Sequence, residues 1–286
     1  MNGLIEDMGI MSYVYLNYSA EQMAETIERQ GLKSVQLDPR QSGFLGQESL
    51  SRSAAEKAYK AFSTREIRIV GLSDYLGINL MDPDPERREA SIRHLEQTFE
   101  FAEIFNTQYV AAETGSLHPS NSWAYHPEND SESAFSSLLR TIERIRTTAT
   151  KYNCVFLMEG YVNNVLYSPE RAERVLKELG HDGLGVVLDP FNYMTKEDLD
   201  NQEQALGNIF RRLSKSSPIA HAKDAVYDDR GFHTPRAGTG KMDWKIVSSM
   251  FLKYTPDTPL ILEHVEPDLV HSCIEFITSH FKDSSC

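Results

Sequence analysis

The amino-acid sequence predicts an α/β protein: a single (β/α)8 barrel over residues 1–286, with its active site at the C-terminal ends of the strands. Eight short runs rich in Val, Ile and Leu alternate with eight helix-like stretches, which is the pattern of buried parallel strands joined by crossover helices. In the second half of the chain, four apolar runs end at or contain a residue with an ionisable side chain. These residues indicate where the functional face of the barrel lies.

The first half of the chain is predicted to form four strand–helix units. A strand at Met8 to Val14 precedes a helix that begins with the capping-box pair Ser19 and Gln22 and stops at Gly31. A long loop, Ser116 to Asp130, follows the fourth strand and is expected to form a lid or a wall of the pocket. The other strands are predicted at Ser34 to Asp38, Ile67 to Asp74 and Thr107 to Gly115, and the other helices at about Ser51 to Thr64, within 82–105 and at about Ser131 to Tyr152.

The second half repeats the alternation of strands and helices. Ser168 is an N-cap with Pro169 at the first helical position, and Gly180 ends the same helix. Further helices are predicted at about Lys196 to Leu213, Val247 to Lys253 and Asp268 to Phe281. Strands five, six and eight end at Glu159, Asp189 and Glu263, and strand seven carries His221.

Composition and charge exclude several classes of protein. The formal net charge of −13 argues against a general nucleic-acid-binding protein, because attraction to phosphates dominates such binding. No apolar run is long enough to cross a membrane, and the N-terminus shows no export signal. Three scattered cysteines, Cys154, Cys273 and Cys286, form neither a disulfide framework nor a zinc-binding pattern, so the cytoplasm is the expected location. We expect a small-molecule partner and leave the oligomeric state open, a homo-oligomer included.

Four residues at the later strands can bind a hard metal ion. Glu159, Asp189, His221 and Glu263 belong to the apolar runs FLME, GVVLD, IAH and PLILE. Because the C-terminal ends of barrel strands meet on one face, these side chains are expected to converge. Three carboxylates around one point repel each other unless a cation joins them, so the sequence predicts one bound divalent ion. The mostly hard ligands favour Mn²⁺, and Mg²⁺, Co²⁺ and Zn²⁺ are also compatible.

Five motifs from Met158 onward occur in the order seen in one known family. They are MEG at Met158 to Gly160, LDPFN at Leu188 to Asn192, HAKD at His221 to Asp224, GTGKMDW at Gly238 to Trp244, and LEH at Leu262 to His264. With these motifs the chain resembles the sugar phosphate isomerase/epimerase superfamily, the xylose-isomerase-like TIM barrels. The resemblance covers nearly the whole chain in architecture. It implies a metal held by the four residues above and a proton-transfer role for Glu159 and Glu263.

Some positions depart from the family pattern. Several members have a histidine three residues after the strand-six aspartate, where this chain has Asn192, which can hydrogen-bond a substrate oxygen but cannot titrate. The epimerases usually have a substrate-binding arginine shortly after the strand-seven histidine, and Arg230 and Arg236 are candidates at a different spacing. The superfamily also includes the endonuclease IV type of DNA repair enzyme, which binds several metals. Asp74, Glu113 and Asn192 stand where that branch tends to use histidines, which argues against a three-metal site.

Further residues are candidates for contacts with a substrate. Lys223 shares a strand face with His221, so it can reach a substrate oxygen or phosphate, or form an ion pair at the rim. Glu113 ends strand four beside the pocket, although capping or loop hydrogen bonding explains it equally well. His118 and Trp123 lie on the long loop and either line the pocket or belong to an ordered surface loop. The predicted substrate-binding residues are Lys223, Asn192, Glu113, His118, Trp123 and Arg236.

The resulting prediction is a metal-dependent isomerase or epimerase that acts on a sugar or sugar phosphate. Removing a proton beside a carbonyl gives an enediolate, whose oxygen needs a Lewis acid and whose carbon needs a base. Glu159 and Glu263 are the predicted proton-transfer pair. The alternatives are an inosose-type dehydratase, which shares the opening step, an endonuclease IV-like DNA repair enzyme, and a non-catalytic sugar-binding barrel.

Overall fold

Eight parallel strands close into a barrel in the computed structural model, which describes residues 6–45, 50–75 and 77–283. Including two strands outside the barrel, the strands of the described residues are β1 Gly9–Met11, β2 Ser34–Leu37, β3 Arg68–Ser73, β4 Tyr109–Glu113, β5 Val155–Glu159, β6 Leu184–Leu188, β7 Ile219–Ala222, β8 Val226–Asp228, β9 Gly231–His233 and β10 Leu260–Leu262. Around the barrel they follow the order β1, β10, β7, β6, β5, β4, β3, β2. Strands β8 and β9 form a separate antiparallel hairpin between β7 and β10.

Helices occupy the connections between the barrel strands. They are α1 Ala20–Arg29, α2 Ser42–Leu45, α3 Arg52–Ser63, α4 Pro85–Thr98, α5 Glu132–Lys151, α6 Pro169–Leu179, α7 Lys196–Leu199, α8 Gln202–Leu213, α9 Trp244–Tyr254 and α10 Val270–Asp283. Their starts follow local chemistry. Ser19 and Gln22 make the expected capping box, and Ser168 caps α6 ahead of Pro169, while Gly180 ends that helix with a positive φ.

The apolar core has two parts. The larger part packs the outward faces of the strands against the helices. The smaller part fills the inside of the barrel with one residue from each of seven strands: Met11, Val70, Ala111, Leu157, Val187, Ile219 and Ile261. This plug supports the polar layer above it, because side chains two residues apart on a strand point in the same direction.

The eight-stranded barrel confirms the predicted fold, whereas two local expectations were wrong and one feature was missed. The first strand ends at Met11 rather than Val14, since a 3-10 turn over Ser12–Tyr15 follows it. The helix expected over Lys196 to Leu213 is divided into α7 and α8, because Asn201 has an irregular backbone between them. The β8–β9 hairpin was not predicted.

Other sequence expectations concern single residues and membrane spans. Cys154 and Cys273 are buried free cysteines, and Cys286 lies outside the described residues. Within the described part of the chain, no helix is both long and apolar enough to cross a membrane.

Candidate active site

The four predicted metal ligands stand directly above the apolar plug. Leu157, Val187, Ile219 and Ile261 belong to the plug, and two residues later on the same strands come Glu159, Asp189, His221 and Glu263. Strand alternation therefore turns all four side chains into the mouth of the barrel. Each offers one ligand atom, these atoms lie within 4.8 Å of one another, and all four residues are buried. The sequence expectation that they converge agrees with this geometry.

Distances within the group centre on the imidazole of His221. Its Nδ1 lies 3.4 Å from Asp189 Oδ2, 3.4 Å from Glu263 Oε2 and 3.7 Å from Glu159 Oε1. Its side chain is 0% exposed, so no bulk water reaches this nitrogen. One nitrogen and three carboxylate oxygens thus face a common point from four strands.

The turn that follows β6 uses one carboxylate oxygen of Asp189 and directs the other toward the four-residue group. Asp189 caps a 3-10 turn over Pro190–Tyr193, and its Oδ1 accepts the backbone N–H groups of Phe191 and Asn192, each at 3.2 Å. The other oxygen, Oδ2, lies 3.4 Å from His221 Nδ1 and pairs with the Lys223 ammonium at 2.6 Å. The motif LDPFN is therefore a capping sequence that fixes the direction of a ligand.

The residues fit a divalent cation. His221 Nδ1 is buried without a hydrogen-bond partner. A buried polar atom of this kind costs free energy unless something binds it, and a metal ion would satisfy it. The donor set of three carboxylate oxygens and one imidazole nitrogen suits Mn²⁺, Mg²⁺ or Zn²⁺. The group can therefore bind a metal ion.

Lys223 supplies a positive charge beside the ligands. Its Nζ lies 2.6 Å from Asp189 Oδ2 and 2.7 Å from Glu263 Oε2, and the residue is 3% exposed. The position two residues after His221 places it on the same strand side, as the sequence predicted. Lys223 also lines the cavity above the site, so it borders both the ligands and the space for a substrate.

The pKa values of the site reflect a competition between burial and paired charge. Burial raises the pKa of Glu159 above its ordinary value, and the neighbouring carboxylates add to this effect. Burial acts the same way on Glu263, but His221 and Lys223 outweigh it and hold the pKa of Glu263 well below the usual range. Lys223 likewise keeps the pKa of Asp189 low against the effect of burial. The two candidate bases therefore differ in electrostatic environment.

Glu159 is held on both oxygens. Its Oε1 accepts from Asn192 Nδ2 at 2.7 Å, and its Oε2 accepts from the hydroxyl of Tyr75 at 2.5 Å. Gly160, the next residue, has no room for a side chain, because an added Cβ would collide with the Leu166 carbonyl and the Tyr193 ring. Asn192 thus touches a predicted base and also lines the cavity.

A cavity of about 280 Å³ opens above the ligands. Aromatic side chains form much of its wall, and Thr234, His233 and His264 add polar groups. The lining residues are Tyr13, Tyr75, Trp123, Glu159, Tyr161, Asn192, Lys223, His233, Thr234, Glu263 and His264. Both candidate bases face this cavity, so a ligand inside it can reach them.

The long loop and the β8–β9 hairpin build the outer wall together. Trp123 packs edge-on against Tyr161 with ring centroids 5.2 Å apart, and Tyr161 contacts Phe232 of the hairpin at 5.3 Å. Asn164 Nδ2 and Asn163 Nδ2 donate to the carbonyls of Ser122 and Trp123, at 2.8 Å and 3.2 Å. The loop is thus tied to the segment after β5 beside the cavity.

Three other predicted substrate-binding residues lie away from the cavity lining. Glu113 is 1% exposed, and its Oε1 accepts from Ser122 Oγ at 2.8 Å, so it anchors the base of the long loop. His118 borders a different, polar cavity between α4 and this loop. Arg236 lies 3.6 Å from Glu266 and does not line the central cavity.

The HAKD and GTGKMDW motifs meet at one buried carboxylate. Asp224 accepts backbone N–H groups from Ala225 at 2.9 Å, Gly238 at 3.0 Å and Met242 at 2.9 Å. The indole N–H of Trp244 donates to the same carboxylate at 3.2 Å. The glycines and tryptophan therefore shape the loop that follows His221 and Lys223.

Several site residues escaped sequence reasoning. Tyr13 and Tyr75 come from segments whose sequences carry no recognisable site motif, yet both line the cavity. His264 follows Glu263 with a φ of 51°, a left-handed conformation that is uncommon outside glycine and is often found at functional sites. Its backbone N–H donates to Tyr13 Oη at 3.2 Å. The LEH motif gave a signal for His264, whereas no pattern pointed to the tyrosines.

Residues 24–279 match the family model described as the xylose isomerase-like TIM barrel. The chain belongs to this family. No curated protein matches it by sequence.

Solved structures share the fold over nearly the whole chain. The probable 3-DHS dehydratase of petrobactin synthesis from Bacillus anthracis has 16% identity over 95% of this chain and 98% of its own, with a TM-score of 0.72. The 3-keto-D-glucoside 4-epimerase from E. coli has 12% identity over 96% and 99%, with a TM-score of 0.71. A xylose isomerase-like TIM barrel protein from Mycobacterium smegmatis in complex with magnesium has 13% identity over 98% and 99%, with a TM-score of 0.68. At these identities the likeness establishes the fold.

Proposed function

We propose that the protein is a divalent-metal-dependent isomerase or epimerase that acts on a small polyhydroxy carbonyl compound. One observation carries the proposal: four buried ligand atoms lie within 4.8 Å of one another at the floor of a cavity that Glu159 and Glu263 both face. The epimerase among the structural neighbours supports this reaction class, and the dehydratase among them corresponds to the alternative outcome.

The two glutamates are proposed to move protons at the substrate. One carboxylate removes the proton from the carbon beside the carbonyl, and the electron pair of that C–H bond becomes the double bond of an enediolate. For epimerisation, the other glutamate returns a proton to the opposite face of the same carbon. For isomerisation, one glutamate returns the proton to the neighbouring carbon. Glu159 and Glu263 come from β5 and from the end of β10, so they approach the cavity from different strands.

A bound divalent ion supplies the Lewis acid that stabilises the negative oxygen of the enediolate. Glu159, Asp189, His221 and Glu263 would hold it. We propose Mn²⁺ as the physiological ion because three of the four ligands are hard oxygens, with Mg²⁺, Co²⁺ and Zn²⁺ as alternatives. The magnesium complex of the Mycobacterium smegmatis structure supports a divalent ion in this fold.

The cavity suits an uncharged sugar better than a sugar phosphate. Tyr13, Tyr75, Trp123 and Tyr161 can pack against the apolar faces of a sugar ring. Lys223 is the one lysine or arginine among the described residues that line the cavity, and two carboxylates already neutralise it. A phosphate would bring about two negative charges next to Glu159 and Glu263, which also line the cavity.

The proposed location is the cytoplasm. The buried free thiols of Cys154 and Cys273 suit a reducing compartment. The proposal includes no nucleic-acid partner, because the net charge of −13 opposes phosphate binding.

Metal content and turnover test the proposal. Elemental analysis of protein purified without chelator is expected to show about one equivalent of a divalent ion, since the four ligands form a single site. Asp189→Ala should lose most of this metal, whereas Asp257→Ala, at an exposed loop position, should retain it. Retention of full metal by Asp189→Ala would overturn the metal site.

The reaction class is tested with a panel of free ketoses, aldoses and inososes in D₂O. Isomerisation or epimerisation incorporates solvent deuterium at the carbon beside the carbonyl, whereas a dehydratase releases water and gives an unsaturated product. A metal-loaded protein that converts no sugar but cleaves abasic DNA would favour repair. Sugar binding without turnover would favour a binding protein.

A further inference from the structure

A chain of hydrogen bonds joins two of the candidate ligands from behind. His221 Nε2 lies 2.8 Å from Gln36 Oε1, Gln36 Nε2 lies 3.2 Å from the Tyr75 hydroxyl, and that hydroxyl lies 2.5 Å from Glu159 Oε2. Gln36 and His221 are both 0% exposed, so water cannot replace these contacts. Strands β2 and β7 are not neighbours in the sheet, so Gln36 reaches His221 across the inside of the barrel.

The hydroxyl of Tyr75 sets the direction of the other bonds in this series. It donates its single hydrogen to Glu159 Oε2. The oxygen of Tyr75 must then accept from the amide of Gln36. This turns Gln36 Nε2 toward Tyr75 and leaves Gln36 Oε1 facing His221. Because Oε1 can only accept, His221 Nε2 carries a hydrogen.

The hydrogen on Nε2 determines the state of the other ring nitrogen of His221, Nδ1. A neutral imidazole has one N–H, and when Nε2 carries it, Nδ1 is a bare donor atom for a metal. Nδ1 is the atom that faces Asp189, Glu159 and Glu263, and it is buried without a hydrogen-bond partner. A hydrogen bond from the distal N–H also fixes the orientation of a ligating imidazole.

We infer that Gln36 is a positioning residue that holds His221 with Nδ1 free for the metal, and that Tyr75 extends this control to Glu159. This inference rests on the proposed function, because it assigns these residues to the metal site. Gln36 carries no group that titrates or ligates strongly, and it acts through the direction of its amide alone. The Gln36–Tyr75 pair thereby couples the orientation of a ligand to that of a proton-transfer residue.

Three variants distinguish the effects at the two ends of this series of hydrogen bonds, His221 and Glu159. Gln36→Met keeps the approximate size but removes both the acceptor for His221 and the donor to Tyr75. Gln36→Glu keeps the acceptor for His221 and loses the donor. Tyr75→Phe keeps the contact between Gln36 and His221 and removes the hydroxyl that holds Glu159. Circular dichroism and thermal unfolding establish that each variant is folded.

Mn²⁺ binding to chelator-stripped protein, measured by titration calorimetry, is the first readout. Loss of the partner of a ligating histidine costs about 10–100-fold in metal affinity, so Gln36→Met should weaken binding by this factor. Gln36→Glu should bind at least as tightly as the wild type, because the acceptor remains. Tyr75→Phe should lower turnover of a substrate from the sugar panel, with a loss of Mn²⁺ affinity smaller than about 10-fold.

The ring N–H of His221 is the second readout and needs neither metal nor substrate. In ¹⁵N-histidine-labelled protein, its signal is identified by its absence from His221→Asn. The signal should persist in the wild type and in Gln36→Glu, and exchange with water in Gln36→Met.

The outcomes distinguish this inference from the proposed function. A folded Gln36→Met variant that binds Mn²⁺ like the wild type, or a Gln36→Glu variant as weak as Gln36→Met, would overturn the role of Gln36. Wild-type protein that binds Mn²⁺ but converts no sugar would overturn the proposed reaction and leave the role of Gln36 standing. Wild-type protein that binds no Mn²⁺ would overturn both.

Discussion

Replacing Lys223 by methionine should destabilise the metal-free protein far more than a comparable change at the surface. Lys223 Nζ contacts Asp189 and Glu263 at 2.6 Å and 2.7 Å, and the residue is 3% exposed. Removing one partner of a buried ion pair typically costs about 3–5 kcal/mol, because the remaining charge is left buried and uncompensated. The methionine keeps most of the apolar stem, so the change isolates the charge.

Lys177 provides the matched control. It pairs with Glu173 at 2.9 Å, but its side chain is 67% exposed. Exposed pairs contribute about 0–1 kcal/mol, so Lys177→Met should change the free energy of unfolding by no more than this. Urea unfolding of both variants in the presence of chelator at neutral pH gives the comparison.

The loss in the free energy of unfolding caused by Lys223→Met should be larger at neutral pH than in acid. In the wild type, Lys223 lowers the pKa of Asp189, and His221 and Lys223 together lower the pKa of Glu263, so the stability these carboxyls contribute is present above the ordinary carboxyl pKa and lost on acidification. Without the lysine, His221 is the main group that opposes the effect of burial, both pKa values rise, and ionisation of the carboxyls stabilises the fold less. The difference between wild type and variant should be largest at neutral pH, shrink on acidification, and disappear only below the lowered pKa values of the wild-type carboxyls.

Metal should rescue the variant. A divalent ion supplies the missing positive charge to Asp189 and Glu263, whose oxygens Lys223 already contacts in the wild type, so the ion should bind and stabilise the variant more strongly than the wild type. Saturating Mn²⁺ should therefore narrow the gap between Lys223→Met and the wild type. Equal costs for Lys223→Met and Lys177→Met in chelator would refute the assignment of Lys223 as the buried counter-charge.

Three further changes test the site and its surroundings. Glu159→Gln and Glu263→Gln should each lower turnover at least about 100-fold in steady-state assays, because an amide cannot take up a proton; wild-type rates would exclude the affected residue as a base. Trp123→Ala should raise KM for a small sugar with unchanged metal content, since it removes the ring packed on the cavity wall, and an unchanged KM would exclude the loop from substrate binding. Burial raises the pKa of Asp38 to about 6 from 3.8, so its ionisation opposes folding and stability falls as pH rises between these values. Asp38→Asn should thus gain up to about 3 kcal/mol in urea unfolding at pH 7 and nothing near pH 4; an equal gain at both would show that charge is not the cause.

The sequence was sufficient to predict the barrel and the convergence of Glu159, Asp189, His221 and Glu263. Both follow from the same periodicity, because an apolar run that ends in the plug continues, two residues later, into the mouth of the barrel. Leu157 and Glu159 illustrate this on β5, as do Ile219 and His221 on β7. The two-residue period of a strand determines on which face of the strand a side chain lies. Because the barrel strands are parallel, the inward faces of their C-terminal ends meet at the same end of the barrel.

The outer wall of the cavity could not be predicted in the same way. Trp123 contacts Tyr161, and Tyr161 contacts Phe232, although the three residues come from three separate loop or hairpin segments. No periodicity relates such segments, because loop conformation follows local turns and packing rather than a repeat. His118 and Trp123 lie on the same predicted loop, yet they border different cavities.

Gln36 shows a different limit of sequence reasoning. Glutamine neither titrates nor binds metal strongly, so in the run SVQLD it reads as one polar residue in a strand. Its importance arises only when the barrel closes and places it between His221 and Tyr75. The Tyr75 hydroxyl donates to Glu159 and accepts from the Gln36 amide, which leaves the amide oxygen of Gln36 facing the imidazole. The residues at the strand ends can be recognised from the sequence. The inferred role of a polar residue inside the barrel, such as Gln36, depends on which of those strand-end residues it contacts after folding.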